Sequence, residues 1–324
     1  MSIVLLLVSV GLAFPMTSSQ RRFIKEHYGD KFSVDDSYPL AYNVATFGTI
    51  KLFNGQPRKM GSFPPKTLLA LIHTVPKNVQ HIIDAQNTWC RPGLQKKFGY
   101  TCAFILVQGT VDRPENAAYK EQLLAMNSTA GDIYFIEMPD LKEGWFTLQM
   151  KNIASYIFAM QAFPGYKWYA RVDDEILVVP ELLIPALVDL NDTATTVGEL
   201  YMHPPFSQPK RKYYDPLCTQ IGNYFPYPAG FFSLFSRDMT EFFADWGKYY
   251  KIAPSALEDP GFGHLIYRFG QEQHKWINFV MFKNFGGNFW SSRDVYMTYH
   301  RQDHQLDVHG TYWMLKQKGF FNEK

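Results

Sequence analysis

Between Leu68 and Leu190, short apolar runs alternate with longer segments of helical period. LLALIHTV (Leu68–Val75), CAFILVQG (Cys102–Gly109), DIYFIEM (Asp132–Met138) and WYARVDDE (Trp168–Glu175) are short, apolar and bounded by turn residues, and each predicts a buried strand. Between them NVQHIIDAQNTW places Val79, Ile82, Ile83 and Gln86 on one helix face. ENAAYKEQLLAMNS, LQMKNIASYIFAMQAF and ELLIPALVDL predict further helices. A parallel neighbour needs a crossover, and the crossover helix must cover the sheet. The alternation therefore predicts an α/β chain: a mostly parallel sheet with helices on both faces. In such sheets ligands gather beyond the carboxyl ends of the strands.

The fourth strand ends on Asp173, Asp174 and Glu175, and Ile176, Leu177, Val178 and Val179 follow at once. Adjacent like charges repel, and an apolar frame makes them harder to hydrate. Clustered carboxylates at a strand end suit a hard cation such as Mn²⁺ or Mg²⁺, which prefers oxygen ligands. Such an ion takes one or two protein carboxylates and fills its shell from phosphates and water. The plain alternative is a solvated turn, since Asp-Asp favours turns. Against it, no Gly or Asn follows.

The 324 residues are 46% hydrophobic and 19% charged, which excludes disorder for most of the chain. A formal charge of +2 with no basic tract interleaved with aromatics gives no sign of nucleic acid. The start is apolar from Ile3 to Phe14, short of the roughly 20 residues that span a bilayer. Residues 1–16 read as a signal peptide or a short membrane anchor; a buried N-terminal strand is the other reading. Arg21 and Arg22 weigh against an anchor whose C-terminal side is luminal. Residues 17–65, closed by NGQPRKMGSFPP, read as a stem with little regular structure. Sequons at Asn127 and Asn191 fit the secretory pathway. Of the three cysteines, Cys90 and Cys102 flank a loop that a disulfide could close in an oxidising compartment. Cys218 is left free or joins two chains in a homodimer.

Six segments stand in a telling order: NTWCR, GDIYFIEMPDLKEGWFTLQMKN, FPGYKWYARVDDEILVVPELL, KRKYYDP with YFPYPAGFFSLFSRDM, LEDPGFGHLIYRFG, and YMTYHRQD. Together, from Leu68 to Trp313, they resemble the beta-1,3-hexosyltransferases of glycosyltransferase family 31. The resemblance implies a GT-A fold for residues 66–324: a Rossmann-like sheet that binds a UDP-sugar with a divalent metal, usually Mn²⁺. It implies an inverting displacement by the hydroxyl of a glycan, glycoprotein or glycolipid acceptor. It places the chain in the Golgi membrane or lumen, or outside the cell.

Residue by residue, the resemblance puts Asp173 beside the ribose and the metal, with Asp174 in the donor site next to it. Glu175 stands where the family's main metal ligand is Asp; it is one methylene longer. His300 would complete the metal shell, or is a surface histidine, as His304 and His309 are expected to be. Asp259 matches the catalytic base, and Glu258 would orient it or the acceptor, although EDPG taken locally reads as a turn. Gly230 would let the backbone approach the substrate, and Phe231 occupies the place of a second glycine. Gln86 and Asn87 stand where many members carry a basic residue. The expected activity is metal-dependent transfer of galactose or N-acetylglucosamine. The alternative, drawn from Glu175, Phe231 and the short N-terminal segment, is a non-catalytic secreted relative that binds sugar or a partner protein. A metal-dependent hydrolase needs only the acids and leaves the order of segments unexplained.

Overall fold

A computed structural model describes residues 16–35, 48–53, 63–138, 141–202, 204, 208, 213–217, 224–249, 251–282, 286–287, 297–300 and 308–323, with backbone alone at 48–53, 286–287, 300 and 309. The chain opens with α1 (Ser18–Tyr28), β1 (Ser33–Val34) and β2 (Gly48–Phe53). The alternating region supplies β3 (Leu68–His73), α2 (Val79–Asn87), α3 (Pro92–Phe98), β4 (Tyr100–Val107), α4 (Gln108–Val111) and α5 (Ala117–Ala130). It continues with β5 (Ile133–Ile136), α6 (Leu148–Ala162), β6 (Trp168–Asp173), β7 (Ile176–Val178) and α7 (Pro180–Val188). Then come β8 (Thr195–Tyr201), β9 (Tyr227–Ser236), α8 (Arg237–Trp246), β10 (Lys251–Ile252) and α9 (Glu258–Glu272). The last elements are β11 (Ile277–Phe282), β12 (Gly286–Gly287), β13 (Thr298–His300) and α10 (Val308–Gln317).

Eight strands form the central sheet in the order β2-β11-β8-β9-β6-β3-β4-β5. Its neighbours pair in parallel, except that β9 runs antiparallel to both β6 and β8. The mostly parallel α/β sheet is thus as expected. Side chains on a strand alternate between faces, and the two cores follow that rule. Leu68, Ala70 and Ile72 of β3, with Trp168, Ala170 and Val172 of β6, pack beneath α2, α3, α7 and α10. Leu69, Leu71 and Tyr169 pack on the opposite side beneath α1, α6, α8 and α9. Burial on both faces explains why the sequence shows continuous apolar runs and not alternation.

The lead-in does not conform to expectation. Residues 17–65 carry a helix and a sheet strand. Thr17 caps α1 in a capping box with Gln20. Ile24 and Tyr28 are buried in the core shared with α6, and the Tyr28 hydroxyl donates to the Phe146 carbonyl. β2 adds an edge to the sheet by pairing with β11. No helix among the described residues is long and apolar enough to cross a membrane. The expected signal or anchor, in residues 1–16, lies outside the described residues but for Met16. β7 leaves the main sheet just after the acids and pairs antiparallel with β13, so the β6–β7 turn projects from the carboxyl rim.

Candidate active site

The strand period decides where the three acids point. Asp173 lies on the same side of β6 as Tyr169 and Arg171, facing α6 and α9. It stands in register with His73 at the end of β3. Arg171 Nη1 lies 2.7 Å from its Oδ1. Burial raises the pKa of Asp173, and Arg171 pulls it back down. His73 is buried, with Nε2 3.0 Å from Ser155 Oγ. Burial, then the charges of Lys151 and Arg171, hold its pKa well below the ordinary value, so it is neutral.

Asp174 faces the other way. Its Oδ2 accepts from Thr74 Oγ1 at 2.5 Å and from Asn78 Nδ2 at 3.0 Å, and its Oδ1 meets His81 Nδ1 at 3.0 Å. The expected donor-site acid is therefore engaged by α2 and the turn that leads into it. Glu175 borders a small pocket with His81, Asp84 and Thr88. Among the described residues no three His, Cys, Asp or Glu side chains converge to hold a metal ion. His300 is paired with Ile176 across β13 and β7, so its backbone stands one residue from Glu175. The side chains of His300 and His309, and the whole of His304 and Cys218, lie outside the described residues.

Glu258 and Asp259 open α9. Carboxylates suit a first helical turn, where the unpaired N–H groups and the helix dipole carry positive charge. The Gly230 N–H donates to Asp259 Oδ2 at 2.9 Å. A Cβ at residue 230 would lie 2.8 Å from Asp259 Cγ, well inside contact distance. The space that glycine leaves at 230 is thus taken by Asp259, where a substrate was expected. Burial, then the neighbouring Glu258 charge, pushes the Asp259 pKa up to about 7, against the opposing pull of Arg171 and the Gly230 N–H. Burial also raises Glu258. Asn152 of α6 donates to Glu258 Oε1.

Arg171, which no expectation named, joins these groups. Besides Asp173, its Nε lies 2.8 Å from Glu258 Oε1, its Nη2 donates to Glu258 Oε2 at 3.1 Å, and its Nη1 donates to the Gly230 carbonyl. The sequence did signal it, as a cation inside an apolar strand two residues before the acids. Lys151 was also missed. It is fully buried on α6, donates to the Thr74 carbonyl at 2.8 Å and pairs with Glu143. A cavity of about 350 Å³ opens over Glu258, Asp259 and Gly230. Trp145, Tyr201, Tyr213, Tyr227 and Phe231 line it. The structure thus brings Asp259, Glu258 and Gly230 together, links Asp173 to them through Arg171, and turns Asp174 towards α2.

Behind the turn, Trp89 Nε1 donates to the Ile176 carbonyl at 3.0 Å. The adjacent Cys90 is bridged to Cys102 of β4.

The sequence matches the galactosyltransferase family over residues 85–272. No curated protein matches it. Among solved structures it is similar to a glycosyltransferase involved in glycosylating the major capsid of PBCV-1, at 11% identity and TM-score 0.40, covering 78% of this chain and 100% of that one. It is similar to the mannosyltransferase Ktr4p from S. cerevisiae in complex with GDP, at 13% identity and TM-score 0.39, covering 69% of this chain and 73% of that one. It is also similar to core-mannan synthase A from Aspergillus fumigatus in an Mn/GDP form, at 13% identity and TM-score 0.34, covering 64% and 72%. The family match runs from the end of α2 to the end of α9 and takes in the acids of β6, Gly230 and the first turn of α9; over that span, more than half its length, the chain belongs to the galactosyltransferase family.

Proposed function

We propose that the chain transfers a hexose, galactose or N-acetylglucosamine, from a UDP-sugar to a glycan hydroxyl, forming a beta-1,3 bond with inversion. The observation that carries this reading is Asp259 at the floor of the cavity. Its carboxyl sits near neutrality, at about 7, where a general base works best. An acceptor hydroxyl seated over α9 would give its proton to Asp259. Its oxygen would attack the anomeric carbon, and the bond to the departing UDP would break on the opposite side. The Gly230 N–H holds the base in place, and aromatic side chains line the walls of the site.

The chemistry of the β6–β7 turn fits a divalent metal. Such an ion needs one or two protein carboxylates when phosphates supply other oxygens, and Asp173 and Glu175 are of that kind. They would hold Mn²⁺ or Mg²⁺, with His300 close by in the backbone. When bound, the metal supplies Lewis-acid neutralisation of the leaving diphosphate. A luminal setting is part of the proposal. It draws support from the Cys90–Cys102 bridge and from the exposed sequon at Asn191.

A second reading, a non-catalytic sugar binder, draws on the engagement of Asp173 by Arg171 and of Asp174 by α2. One experiment separates the two. UDP release by the full chain is measured over a panel of UDP-sugars with Mn²⁺, with and without neutral sugar acceptors. Release that requires Mn²⁺, rises with an acceptor and disappears in Asp259→Ala supports transfer. Sugar binding with no release from any donor would establish the second reading.

A further inference from the structure

We propose that Arg171 is a positioning residue for the transfer: one guanidinium ties the donor-side acid Asp173 to the base-side group formed by Glu258, Gly230 and Asp259. The inference rests on the functional reading above.

The contacts come from three separate elements. Nη1 reaches Asp173 at the end of β6 and the carbonyl of Gly230 on β9. Nε and Nη2 lie 2.8 and 3.1 Å from the two oxygens of Glu258 on α9. Gly230 in turn gives its N–H to Asp259 at 2.9 Å. One planar fork therefore sets the distance between the strand end that would receive the donor and the helix turn that carries the base. The Arg171 side chain is only 6% exposed and that of Glu258 10%.

A buried ion pair is poor evidence of stability, because dehydrating the charges offsets their attraction. Its merit is geometric. Arginine holds several acceptors in a fixed plane, whereas lysine offers a single point charge that cannot meet all three. Asn152 also holds Glu258 from α6. Of the groups that the fork touches, Glu258 and Gly230 line the cavity beside Asp259.

The test uses the full chain as Arg171→Lys and Arg171→Ala. In Arg171→Lys, kcat falls on the order of 10²-fold, the loss expected when a base is displaced by about an ångström. The affinity for UDP with Mn²⁺ falls much less than in Asp173→Ala, because the acid itself is kept. In Arg171→Ala, millimolar guanidinium chloride restores part of kcat, and it does nothing for Asp259→Asn. Amide exchange at Gly230 and in the first turn of α9 accelerates in both variants while the rest of the sheet is unchanged. Wild-type kcat in Arg171→Lys would overturn the proposal. So would a loss that follows the unfolded fraction and shows no guanidinium rescue. If the wild type transfers no sugar and does not bind UDP with Mn²⁺, the functional reading fails. The exchange measurement still decides the clamp, and unchanged exchange at Gly230 refutes it.

Discussion

Asp259→Asn separates what the base does for catalysis from what it does to stability. Asparagine keeps the shape of the side chain and can still accept the Gly230 N–H, but it cannot take a proton from an acceptor. Folding raises the Asp259 carboxyl from 3.8 to about 7. The folded chain thus holds this proton more tightly than the unfolded chain. The stability that results is complete below about pH 4 and is lost as pH rises through 7. At about 1.36 kcal/mol per pH unit between the two values, an ionised Asp259 costs the fold about 4 kcal/mol at pH 8. Asp259 is only half-buried and borders the cavity, so about half of that, about 2 kcal/mol, is carried forward. Asparagine escapes this cost. Thermal unfolding should place Asp259→Asn about 4 °C above the wild type at pH 8, with the gap shrinking towards pH 5. In the same preparations transfer should fall by about 10² to 10⁴-fold. Wild-type kcat/KM should rise with pH through about 7 as the base ionises. A stability gap of the same size at pH 5 and pH 8, or a wild-type rate flat between them, would refute the reasoning.

Two further outcomes follow from the directions of the side chains. Asp173→Ala should weaken UDP binding with Mn²⁺ at least tenfold by titration calorimetry. Asp174→Ala should leave that binding intact and lower stability by about 1–3 kcal/mol, because Thr74, Asn78 and His81 lose their shared partner. Equal loss of binding in the two variants would show that Asp174 also faces the donor. Gly230→Ala should abolish transfer in a chain that still folds, since its Cβ displaces the Asp259 carboxylate. Near-normal turnover would mean that Asp259 is free to move and still serve.

The sheet was legible because its strands are buried on both faces and broken by helical segments, a pattern with few solutions. The first helix was not. SSQRRFIKEHY offers a narrow apolar face, and its burial depends on partners such as Phe146, 118 residues away from Tyr28. The proposed base, Asp259, was picked out by the order of segments, since EDPG alone reads as a turn; the structure makes it the start of a helix. The turn of Asp174 towards α2 could have been read from strand period, because three consecutive residues cannot all face one ion. Arg171 could have been singled out as a cation that burial would require to be paired. Its chief partner, Glu258, lies 87 residues further on, and no spacing rule connects the two.

That separation also bears on how the chain is made. Gly230 is synthesised 59 residues after Arg171, and Glu258 later still. Until both have emerged, a permanent positive charge lies within a central strand with Asp173 as its single companion in the fork. Burying it in that state is unfavourable. β9 and α9 supply the carbonyl and the carboxylate that this charge meets once β6 is buried. A polypeptide that ends between residues 173 and 258 would leave apolar strands exposed to aggregation and proteolysis. The guanidinium thus ties the packing of the central strand to segments made well after it.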